Sequence, residues 1–93
     1  MARDATVSLS PETWTELTNA DVLSITFQNK GPSGIELIAT TGAAPTDFDG
    51  AKRYLPSQGE LNIDVADMSP GVAAARVWAF ATEGRAQVAV SHA

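Results

Sequence analysis

The chain has 93 residues, enough for one domain built on one core. Six basic residues against eleven acidic ones give a formal charge of −5, and Arg3, Lys30, Lys52, Arg53, Arg76 and Arg85 are scattered, which argues against nucleic-acid binding through a clustered basic face. With no cysteine, disulfides, thiolate nucleophiles and cysteine zinc sites are excluded together.

The opening Met1-Ala2-Arg3-Asp4 lacks the apolar core of a signal peptide, and no run approaches the roughly 18 apolar residues needed to cross a bilayer. The expectation is a soluble protein made in the cytoplasm, with no membrane partner. Hydrophobic residues make up 44% of the chain and charged ones only 18%, which is little charge for the large surface of a small domain. Some apolar surface is therefore expected to be covered by partner chains in a homo-oligomer.

In chain order, Thr6 to Ser10 alternates apolar and polar residues, Pro11 marks an edge or bend, and Thr13 to Leu17 alternates again. Thr18 to Asp21 is turn material. Asp21 to Asn29 follows with Leu23, Ile25 and Phe27 expected inward, and Asn29 to Gly34 supplies the Gly and Pro of a turn. Ile35 to Thr41 comes next, with Ile35, Leu37 and Ala39 on one face, so the two segments are expected to form an antiparallel pair. Thr41 to Arg53 has two Gly, a Pro and two Asp without periodicity and reads as a long surface loop.

Tyr54-Leu55 is a brief strand cut off by Pro56 to Gly59. Glu60 to Val65 alternates, placing Leu61, Ile63 and Val65 inward, and Asp67 to Gly71 is a turn or a single helical turn. Ala73 to Ala75 favours helix by propensity, but its β-rich surroundings override it. The closing stretch Arg76 to Ala93 reads as a β-hairpin about Thr82 to Arg85. In its first strand Arg76, Trp78 and Phe80 share one face while Val77, Ala79 and Ala81 share the other, so both faces need cover. The whole, residues 1–93, reads as a single all-β domain: a small antiparallel β-sandwich or barrel of seven to eight short strands.

Chemistry is sparse. His92 is the one histidine, and it reads as a surface residue on a frayed end with nothing to hold it against a nucleophile. Asp47-Phe48-Asp49-Gly50 matches a calcium loop poorly and suits a turn. Gly31 to Gly34 leads into a strand, unlike a phosphate loop. No catalytic, cofactor-binding or metal residue is expected, and no enzyme. Trp14, Phe27 and Trp78 sit in alternating segments and are expected in the core. Phe48 lies in a polar loop, as a plug beneath it or as an anchor for a partner. Phe48 and Tyr54 are the candidates for partner contact, and exposure of Tyr54 or Trp78 would suit a carbohydrate-binding β-sandwich module, the alternative reading.

The layout resembles a class of small virion proteins of tailed phages and phage-derived gene transfer agents. The resemblance rests on Thr13-Trp14-Thr15-Glu16-Leu17, on Gln28-Asn29 before a Gly turn, on a polar loop with Pro and a Leu-x-Ile strand, and on Arg76-Val77-Trp78-Ala79 with Gly84 through Val90. Within that class the chain is most similar to the base protein of a gene transfer agent head spike. The resemblance implies a virion location, a cyclic homo-oligomer on the capsid protein, and a separate spike or fibre protein carried on top. It implies no ligand residues. Met1 to Thr6 and the loop Thr41 to Arg53 are the expected contact segments.

Overall fold

The computed structural model describes residues 2–69 and 73–93. Eight strands form, β1 (Arg3–Leu9), β2 (Trp14–Glu16), β3 (Ser24–Asn29), β4 (Ile35–Thr40), β5 (Lys52–Tyr54), β6 (Gly59–Asp64), β7 (Arg76–Ala81) and β8 (Ala86–His92), with one helical turn, α1 (Val65–Met68), after β6. They lie in two four-stranded sheets of order β1-β8-β3-β6 and β2-β7-β4-β5, and all strand pairings within the sheets are antiparallel. That is the strand order of an eight-stranded jelly roll.

Period-two alternation builds the core between the sheets. Leu9, Ile25, Phe27, Val88 and Val90 point in from the first sheet, and Ile35, Leu37, Ala39, Val77, Ala79 and Ala81 from the second. Leu17, Val22 and Val65 on the crossings join the same core cluster. Ala39, Ala79 and Ala81 keep the inward faces of β4 and β7 small, and Phe27 lies edge-on to Tyr54, with ring centroids 4.9 Å apart.

Two expected hairpins are corrected. β3 and β4 do not pair, because β3 lies in the first sheet and β4 in the second; β7 and β8 are split in the same way. Among the described residues only β4 and β5 are consecutive strands in one sheet, and the other connections cross between layers. The turn residues at Lys30–Gly34 and Thr82–Arg85 serve these crossings as well as they would a hairpin. Asn29 sets the first crossing. Fully buried, it donates Nδ2 to the carbonyls of Ser33 and Tyr54 at 2.8 and 3.2 Å and accepts the Gly31 N–H at 3.0 Å.

Further corrections follow from the same geometry. Leu61 is 86% exposed because β6 carries a bulge: Ile63 opposes Ile25 and Glu60 opposes Phe27, so Leu61 and Asn62 share the place opposite Thr26. Asn62 takes φ 49° there and its N–H donates to Thr26 Oγ1 at 2.8 Å. Leu23 is 90% exposed, since Val22 fills the core before β3 begins. Residues 3–6 belong to β1, paired with β8, so the stretch taken as an irregular contact arm is strand. The turn expected at Asp67 to Gly71 is in part α1; Pro70 and Gly71 lie outside the described residues.

Candidate functional site

Alternation on β2, β7 and β4 leaves a second set of side chains on the outside of their sheet. Cross-strand register aligns Trp14, Phe80, Glu36 and Arg53 in one row, Glu16, Trp78 and Ile38 in the next, and Arg76 beside Thr40 in a third. Trp14 and Trp78, expected in the core, therefore stand on the outer face, because β7 carries apolar residues on both sides and its alanines and Val77 take the inward one. Trp78 remains half-buried and donates Nε1–H to Thr40 Oγ1 at 3.1 Å.

The loop joining β4 to β5 folds back over this face and lays Phe48 on it. Phe48 stacks at 5.3 Å from Trp14 and edge-on at 4.7 Å from Phe80, and Trp14 meets Phe80 at 5.3 Å. Phe48 is nevertheless 48% exposed, so it is both the loop's attachment to the sheet and an outward apolar surface. The loop around it turns on Asp47, whose Oδ1 accepts the Asp49 N–H at 3.0 Å, while Lys52 donates to the Gly50 carbonyl at 2.8 Å.

Carboxylates surround the aromatic cluster. Arg76 is held by Asp21 at 2.8 Å and Glu16 at 3.0 Å, and Arg53 by Glu83 at 3.3 Å and Glu36 at 3.6 Å. Each arginine is shared by two acids, so each group keeps an excess negative charge, to which Asp47 and Asp49 add theirs. The hydrogen bonds to Asp21 and then Glu16 push the Arg76 guanidinium further up from its ordinary value, and it stays charged.

Two hollows lie elsewhere. A trough of about 630 Å³ runs over the outside of the first sheet, lined by Asp4, Thr6, Thr26, Gln28, Ser91 and Leu61 among others. The only aromatic residue along it is Phe27, whose ring is buried in the core. A second hollow of about 460 Å³ sits where three crossings meet, lined by Leu9, Pro11, Lys30, Pro32, Arg85 and Ala86 with neighbouring polar residues. Among the described residues neither the Lys30 ammonium nor the Arg85 guanidinium has a hydrogen-bond or ion-pair partner.

Tyr54, the other contact candidate, turns inward opposite Ile35, its ring on Phe27 and its hydroxyl 3.3 Å from Glu60 Oε2. Burial first, and then the Glu60 charge and hydrogen bond, push its phenol up from the ordinary value. His92, expected on the surface, is 7% exposed, because β8 continues through it opposite Arg3; its Nδ1 lies 3.1 Å from the Ala93 carbonyl. No group of three metal-binding side chains gathers among the described residues, and no described helix is long and apolar enough to cross a membrane.

Alternation in Arg76 to Ala81 signalled an outer apolar face, but the Trp14–Phe48–Phe80 cluster had no local signal, since it joins three distant segments. Comparison with protein-family models, curated proteins and solved structures returned no match.

Proposed function

We propose that the chain is a structural virion protein of a tailed phage or gene transfer agent, forming an oligomeric base or decoration on the capsid that carries a spike or fibre. It works by surface contact and has no catalytic role. The observation that carries this reading is Phe48, half-exposed on Trp14 and Phe80 inside a border of carboxylates, the arrangement of an aromatic anchor presented to another protein. The jelly roll, an architecture that viral capsid domains share with lectins, and the sequence resemblance described above support the same reading. Identical subunits in a ring use heterologous contacts, so each needs two different surfaces, and the aromatic face and the basic hollow are two such surfaces. Mass spectrometry of purified particles tests the proposal: the chain co-purifies at fixed stoichiometry with capsid and spike proteins. A chain found only in the free protein fraction overturns it.

One observation favours the carbohydrate-binding alternative, the trough of hydroxyl and amide side chains over the first sheet. A stacking ring along it is lacking, which makes it second. Binding of the isolated chain on a glycan array, lost in Gln28→Ala, would put the sugar reading first.

A further inference from the structure

The two surfaces that the fold leaves unsatisfied are complementary to each other. One is a knob: Phe48, half-exposed, flanked in sequence by Asp47 and Asp49 and seated on Phe80, whose cross-strand neighbour is Glu36. The other is a hollow with apolar walls from Leu9, Pro11, Pro32 and Ala86 and two cations, Lys30 and Arg85, that meet no acid among the described residues. We propose that the Phe48 loop of one copy seats in the Lys30–Arg85 hollow of the next, a head-to-tail contact between copies of this chain. The inference rests on the ring reading above and names the contact that would build the ring.

The pairing is favoured over a foreign occupant because both halves are on one chain and match in sign and in size. The hollow, at about 460 Å³, has room for an aromatic side chain and its neighbours. Two copies of charge −5 repel at long range, so attraction arises only when the acidic loop comes within a Debye length of the two cations, about 8 Å at physiological salt. Knob and hollow lie on different parts of the same subunit, so the contact is heterologous: it leaves a free knob at one end and a free hollow at the other, and repetition closes a ring or extends a filament.

The test is sedimentation of the full chain, from micromolar to about millimolar, with circular dichroism as the check of fold. Wild type is expected to self-associate. Phe48→Ala is expected to weaken association at least tenfold, as loss of a central aromatic anchor does. A loop variant with Asp47→Lys and Asp49→Lys, and a hollow variant with Lys30→Glu and Arg85→Glu, are each expected to be monomeric alone, since each then meets its own sign. Mixed at equal ratio, they are expected to regain association in alternation, because each contact between unlike variants is between opposite charges. A wild type that stays monomeric to about 1 mM overturns the proposal, as does association that survives both reversals or a mixture that fails to recover while both variants remain folded. Absence from particles together with recovery in the mixture would sink the virion reading and leave the contact standing; the reverse pattern would do the opposite.

Discussion

The Asn29 side chain donates to the Tyr54 carbonyl across 3.2 Å and so ties β3 in one sheet to β5 in the other. The same side-chain amide holds Ser33 and Gly31, and the Asn29 backbone N–H donates to the Gln58 carbonyl while the Asn29 backbone carbonyl accepts from the Ser57 N–H. Asn29→Ala removes all three side-chain bonds, of which the one from the Gly31 N–H is buried and the two to the Ser33 and Tyr54 carbonyls are part-buried. The expected cost is about 3 kcal/mol, read as a lower urea midpoint at unchanged slope. Asn29→Asp keeps the acceptor for Gly31 but sets a buried carboxylate oxygen against the Ser33 and Tyr54 carbonyls, and is expected to be no more stable than Asn29→Ala.

Gly59 starts β6 where the bulged strand runs tight against β3. A methyl group there would overlap the Phe27 carbonyl and crowd the Gln28 backbone, neither of which can turn aside as a side chain could. Gly59→Ala is expected to cost about 3 kcal/mol in thermal or urea unfolding. Gly42, with open space around its Cβ position, is the control, and Gly42→Ala should leave stability within about 0.5 kcal/mol of wild type.

Leu55-Pro56-Ser57-Gln58 closes with Gln58 N–H donating to the Leu55 carbonyl at 3.0 Å, and Ser57 sits at φ 73°. Proline second and a left-handed residue third define a type II turn, which favours glycine third. Ser57 bonds here through its backbone N–H and carbonyl, both kept by glycine. Ser57→Gly is therefore expected to be neutral or to stabilise by up to about 1 kcal/mol, whereas Ser57→Val should destabilise.

Tyr54 makes the fold sensitive to alkali. Its phenol holds its proton more tightly when folded than the ordinary 10.0, from burial and from Glu60. Above pH 10 the unfolded chain releases that proton while the folded chain keeps it, so stability is full below that pH and falls as pH rises through the raised value. Urea midpoints measured across this range should decline in wild type and decline less in Tyr54→Phe.

Strand positions were legible because alternation is local: Ile25 and Phe27, Ile35 to Ala39 and Val88 to Val90 each declare an inward face within a few residues. Partnership between strands was not. A Gly-Pro-Ser-Gly turn after Asn29 returns the chain equally well beside β3 or across to the other sheet, and the difference lies in the reach of Asn29 to Tyr54, a residue twenty-five positions on. Leu61 misled for a related reason. It obeys the alternating pattern of β6, but Asn62 inserts an extra residue and turns it out, and nothing in the composition of Glu60 to Asp64 marks a bulge. The contact face fell between: Trp78 and Phe80 were visibly opposite Val77 and Ala79, yet only the fold shows which pair is outside.

Layer-to-layer connection also governs how the molecule comes into being. β1 and β3 are joined in their sheet only through β8, so neither has that partner until the last strand arrives. Closing such distant pairings loses chain entropy before any ladder forms, which sets refolding in the slow range of roughly milliseconds to seconds. Until β8 is made, Arg3–Leu9 lacks its one native ladder partner, and the charges of Arg3 and Asp4 are the kind of residue that discourages edge pairing with other chains.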